Sequence, residues 1–138
     1  MAPGFDPELK ADLERACSDL VYSSESDRPF EFFSVRIPPG GKIDSAEDFR
    51  SLLGIDKAVR VEIREVGDFL ARHTGTSDPH DAGAQAIRPR YERLQALLEE
   101  RLSCVRAFRV GKIEIDCYIA GEDGQGRLAG LKTVAIET

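Results

Sequence analysis

Residues 108–138, FRVGKIEIDCYIAGEDGQGRLAGLKTVAIET, hold two apolar-alternating segments joined by a glycine-rich stretch. Ile113, Ile115, Cys117 and Ile119 are apolar, while Glu114, Asp116 and Tyr118 between them are polar or amphipathic. Period two is the pattern of a strand that buries one face. GEDGQG, residues 121–126, offers the positive-φ positions a turn needs, and Leu128–Ile136 returns as a second strand. The spacing predicts a C-terminal hairpin whose apolar face the other elements must cover. Its second strand runs almost to Thr138, so the sheet would hold the α-carboxylate of that residue nearly still. On pattern alone, a strand that merely stops there is the plainer reading.

Working back from the hairpin, Val105–Val110 reads as a further strand. Before it, Tyr91, Leu94, Leu97, Leu98 and Leu102 form an amphipathic helical stripe, with Glu99, Glu100 and Arg101 facing away. Asp78-Pro79 is a helix start, but Pro89 must kink that helix or move its start later. Gly67–His73 suits a short helix carrying Phe69 and Leu70. Val59, Val61 and Ile63 alternate with Arg60, Glu62 and Arg64, a strand with one wet face. Ser45–Asp48 resembles a capping box with Asp in the glutamate's place, opening a short helix that Gly54 ends.

Pro38-Pro39-Gly40-Gly41 is a loop by composition, and Phe30–Ile37 reads as a strand partly buried on both faces. Ser23-Ser24-Glu25-Ser26-Asp27 is a polar loop. Asp6-Pro7 opens a first helix over about Pro7–Val21, with Leu9, Leu13, Ala16 and Leu20 at helical spacing. The order is helix, strand, short helix, strand, helix, then a run of strands. That is not regular βα alternation and predicts α+β with a mainly antiparallel sheet.

A chain of 138 residues, 41% hydrophobic and 32% charged, fits one globular domain over 1–138. No apolar run approaches a membrane span, and the N-terminus lacks a basic start followed by an apolar core. Cys17, Cys104 and Cys117 are an odd set without paired close spacing, which points to reduced thiols in a cytoplasmic protein. Cys117, in phase with Ile115 and Ile119, reads as a small buried hydrophobe. Net charge is −6, concentrated at −5 over residues 1–53 and −2 over residues 110–138. Acidic ends argue against direct nucleic-acid binding, which needs a basic face, and would suit a basic protein partner or simply a solvated surface.

Familiar catalytic patterns are missing from the sequence: no phosphate-binding glycine loop before a helix, no nucleophile elbow, no His-Glu-x-x-His. His73 and His80 lack metal-ligand spacing. Glu114 and Asp116 share one strand face about 7 Å apart, where paired carboxylates can do acid–base work, but solvation is the simpler role. Arg88, Arg90 and Arg93 form a basic cluster expected on the surface, paired with Glu92 and Glu99. What remains is anionic: Ser24, Glu25, Ser26 and Asp27. Taken alone, these residues read as local turn chemistry.

Two patches carry a resemblance. The ending IEIDCYIAGEDGQGRLAGLKTVAIET resembles the C-terminal hairpin of the nuclease A inhibitor family, small bacterial proteins that block a sugar-non-specific DNA/RNA endonuclease. LVYSSESDRPFEFF, Leu20–Phe33, resembles that family's Ser-Glu-Ser-acidic segment, and the two patches stand in the family's order. Ile37–Ala107 is left unmatched. The resemblance implies helices on both faces of the sheet, a three-layer α/β/α sandwich. It implies a nuclease as partner, no catalysis and no cofactor of the protein's own. It places Glu25 and Thr138 at the nuclease's metal, with Ser24, Ser26 and Asp27 framing the loop and Glu137 adding charge. The alternative is an interaction module of the same fold with a non-nuclease partner, chosen through the unmatched, arginine-containing middle.

Overall fold

The computed structural model describes residues 6–18, 20–23, 25–71 and 82–137. Helix α1, Pro7–Ala16, opens at Asp6, whose side chain accepts from the N–H groups of Glu8 and Leu9. It stops short of the Val21 that apolar spacing predicts, because Val21–Ser23 (β1) is already extended. That strand pairs antiparallel with Asp27–Pro29 (β2). Leu20 is buried all the same, from the connection and not from a helical turn. The stretch expected as a plain loop is therefore the turn and flanks of a small hairpin.

The remaining elements are β3 (Glu31–Arg36), α2 (Ala46–Leu53), β4 (Val61–Arg64), α3 (Val66–Phe69), α4 (Ala82–Arg101), β5 (Ser103–Val110), β6 (Glu114–Glu122) and β7 (Arg127–Ile136). The larger sheet has the order β3-β7-β6-β5-β4, with every described pairing antiparallel. This is the α+β class with an antiparallel sheet that the element order predicts. The C-terminal hairpin forms the middle of it, since β6 and β7 both have neighbours on each side.

A strand so placed is covered on both faces, which corrects the expectation of one buried face for β6. Ile115, Cys117 and Ile119 join a core with Leu9 and Leu13 of α1, Phe69 of α3 and Leu94 and Leu98 of α4. Tyr118 and Ala120, pointing the other way, join a second core with Phe49 of α2, Phe108 and Leu128. Phe49 stacks on Phe108 with centroids 4.1 Å apart. Ile113 joins neither core. It precedes β6 and is 59% exposed, against 4% for Ile115.

Local signals explain most boundaries. Ser45 accepts from the N–H of Asp48, while the Asp48 carboxylate accepts from Asp44, one residue before the usual capping-box donor. Gly54 closes α2 in the left-handed conformation. Strand β6 runs through Gly121, so the turn is shorter than the 121–126 segment. Asp123 accepts there from the N–H groups of Gln125 and Arg127, with Gly124 and Gly126 at φ 81°. Pro89 lies inside α4. The Asp78-Pro79 helix start, His73 and His80 lie outside the described residues. Arg101 does not face away; it pairs with Asp12 and lies 3.9 Å from Asp6, tying α4 to α1. Among the described residues no helix is long and apolar enough to cross a membrane.

Candidate functional site

The β1–β2 hairpin is small, and a two-stranded ribbon is marginal unless packed against something. Here each strand is fastened to the core. Tyr22 stacks on Phe69 with ring centroids 4.6 Å apart, and its hydroxyl donates to the Phe69 carbonyl at 3.4 Å. The Tyr91 hydroxyl of α4 donates to the Val21 carbonyl at 2.5 Å. From the sheet, Thr133 Oγ1 of β7 donates to the Arg28 carbonyl at 3.2 Å. Phe30, just past β2, is buried and meets Tyr22 edge-on. The turn between the strands is thus carried on anchored backbone.

That turn reaches the end of the last strand. The N–H of Glu25 donates to the carbonyl of Ile136 at 3.1 Å. On the other side of β7, the N–H of Glu137 donates to the carbonyl of Ile113 at 2.9 Å. The end of β7 is therefore held between the Glu25 turn and the β5–β6 connection. At ordinary strand spacing the three segments span about 10 Å. Glu25 and Asp27 are exposed; Ser26 is half-buried and accepts from Arg28 Nε at 3.2 Å. Of the acidic residues singled out in the sequence, Glu25 and Glu137 are brought together in this way. Ser24 and Thr138 lie outside the described residues.

Beneath the strand end sits a charge that sequence pattern did not single out. Arg109 of β5 is only 7% exposed, on the sheet face that also carries Cys117. One guanidinium nitrogen donates to the half-buried Glu137 carboxylate and another to Glu62 Oε2 at 3.4 Å. Arg109 Nε is buried without a hydrogen-bond partner among the described residues. Burial works against this cation, but the hydrogen bond and charge of Glu137 outweigh it, and its pKa is raised. The neighbouring Cys117 thiol is pushed up to about 11 by burial, which outweighs the opposing pull of Arg109. Arg109 looks in sequence like one more polar residue of an edge-facing strand. Only the register shows that it reaches under β6 to the end of β7.

The other candidates are less organised. Glu114 is exposed and Asp116 half-buried. Among the described residues no group of three or more His, Cys, Asp or Glu side chains is arranged to hold a metal ion. A surface depression of about 560 Å³ is lined by Ile63, Arg64, Glu65, Asp68 and Arg106, a mixed-charge set without the usual nucleophiles. In the basic cluster, Arg88 pairs with Glu92 at 2.8 Å as expected. Arg90 instead donates to the Ser18 carbonyl, and Glu99 accepts from Gln95 rather than from an arginine.

The exposed acids of this edge thus sit on tightly held backbone at the rim of the sheet. The family model described as nuclease A inhibitor-like protein matches residues 7–138, and the chain belongs to this family. Its members are inhibitors rather than enzymes, and a nuclease is the partner the family implies. Comparison with curated proteins gives no match.

Proposed function

We propose that this protein inhibits a metal-dependent, sugar-non-specific DNA/RNA endonuclease by occupying its active site. Such an enzyme uses a hard divalent cation to polarise the scissile phosphate, and hard cations prefer oxygen ligands. An inhibitor competes by presenting anionic oxygen where phosphate would bind. In this reading Glu25 and an oxygen of Thr138, hydroxyl or α-carboxylate, reach the nuclease's metal. Ser24, Ser26 and Asp27 frame the turn and meet the rim, and Glu137 adds charge. The metal belongs to the partner, so the inhibitor needs no cofactor, nucleic acid or membrane of its own. It acts in the cytoplasm as a single unit over residues 1–138. The two cores on opposite sheet faces support the three-layer α/β/α arrangement that the family implies.

The observation that carries the reading is the bond from Glu25 N–H to the Ile136 carbonyl. It supports a shared role for the turn and the strand end, because neither acid would keep a fixed distance from the other on free loops. The test is cleavage of DNA and of RNA by a purified magnesium-dependent endonuclease of this kind, titrated with the protein. Inhibition of both substrates with one-to-one stoichiometry is expected. Unchanged cleavage, together with stable capture of a non-nuclease partner, would favour an interaction module of the same fold.

A further inference from the structure

We infer that Ile113 is the apolar anchor of the nuclease-facing surface, an inference that rests on the reading above. Among the described residues Ile113 is the exposed large hydrophobic, at 59%. Single exposed apolar side chains are ordinary on protein surfaces. What distinguishes this one is its place and its support. Its carbonyl accepts from Glu137, whose neighbour Ile136 accepts from Glu25. It therefore stands on the same edge as both acids, with the end of β7 between it and the turn. The connection that carries it is held from a second direction, because the Gly111 N–H donates to the Arg60 carbonyl at 2.8 Å. An apolar side chain on fixed backbone loses little freedom when a partner covers it.

Its surroundings define the partner. Exposed Glu114 and Lys112 flank it in sequence, and Glu137 lies across the hydrogen bond. Binding surfaces commonly place an apolar contact inside a polar rim that excludes water. Arg109 takes up the charge of Glu137, so the acidic excess of this edge comes from exposed Glu25, Asp27 and Glu114 against exposed Lys112 and Arg28, and it fits a partner surface that is basic around an apolar contact. A protein that binds nucleic-acid phosphates beside a metal presents such a surface. The charged pairs would steer the approach, and Ile113 would slow dissociation. The anchor lies outside the acidic segments and widens the contact beyond the metal.

The experiment titrates wild type, Ile113→Ala, Ile113→Leu and Glu25→Gln against a purified magnesium-dependent, sugar-non-specific endonuclease, at low and raised salt. Ile113→Ala is expected to weaken inhibition at least tenfold at both salt concentrations, Ile113→Leu to retain it, and both to melt as wild type does. If Ile113→Ala inhibits as wild type while Glu25→Gln does not, the anchor is overturned and the inhibitor reading stands. If wild type itself fails to inhibit, both are overturned. Light scattering on the same samples adds a third outcome. A dimer that Ile113→Ala converts to monomer without loss of inhibition would make this surface a self-contact and overturn the anchor.

Discussion

The backbone N–H of Glu25 donates to the carbonyl oxygen of Ile136, joining the turn of the first hairpin to the end of the last strand. Glu25 lies outside the larger sheet, whereas Ile136 is the last residue of β7 and stands opposite Glu114 of β6. The bond depends on two things built elsewhere: the anchoring of the small hairpin by Tyr22, Tyr91 and Thr133, and the register of β7. Changes in either should be felt at the edge.

Glu137→Gln should destabilise the free protein. It replaces the charged partner of the buried Arg109 guanidinium with a neutral amide oxygen and leaves the longer 3.4 Å contact to Glu62 as its remaining ion pair. Hydrogen bonds to charged groups contribute about 1.5–3 kcal/mol, and partial exposure of Glu137 puts this one toward the lower end. Urea unfolding should therefore show a loss of about 1–2 kcal/mol. A midpoint unchanged from wild type would mean the pair contributes nothing to folding.

Gly130→Ala should be far more costly. Gly130 sits in β7 opposite Ala120 of β6 and Phe33 of β3, at φ 159°. A Cβ built there would lie 1.8 Å from the Ile119 carbonyl oxygen, which is backbone and cannot rotate away. The hairpin must separate to admit it, so a loss above about 3 kcal/mol is expected. Thermal melting is the check, and a variant that melts with wild type would show that the strand pair relaxes freely.

The thiols should divide into two classes. Cys104 is exposed, while Cys17 and Cys117 are buried. A thiol reagent at neutral pH should titrate one cysteine in the native protein and all three after denaturation. Burial raises both inner thiols above the ordinary value of 9.0, Cys117 to about 11. A raised folded pKa favours the protonated form, so its contribution is complete below pH 9 and is lost as pH rises toward 11. For Cys117 the loss across that window is about 2–3 kcal/mol. Rapid labelling of three thiols in the native state would contradict the burial of the β6 core.

The hairpin of β6 and β7, the α4 stripe and the caps at Asp6 and Ser45 were legible because each rests on local pattern: period two, period 3.6 or a side chain beside its own helix start. What depended on long-range pairing was not. Leu20 kept helical spacing with Leu13, yet the chain was already turning toward β1, so tertiary contact at Tyr22 outweighed local periodicity. Ile113 kept strand phase with Ile115, but the β5–β6 connection left it outside. Arg109 and Thr133 carry no local sign of their roles, because their partners Glu137 and Arg28 come from distant parts of the chain. The acidic residues of the edge were visible in sequence; that Glu25 and the end of β7 meet was visible only in the fold.

The most direct test of the account is a parallel titration of wild type and Glu25→Gln against a purified magnesium-dependent, sugar-non-specific endonuclease, with melting temperatures measured on the same samples. Removing one charged partner from a desolvated contact costs about 2–5 kcal/mol, whereas an exposed turn residue changes folding by about 0.5 kcal/mol or less. The account predicts that wild type inhibits and that Glu25→Gln inhibits at least about thirtyfold more weakly while melting at the wild-type temperature. A Glu25→Gln protein that inhibits as well as wild type, or a wild type that leaves cleavage untouched, would contradict it.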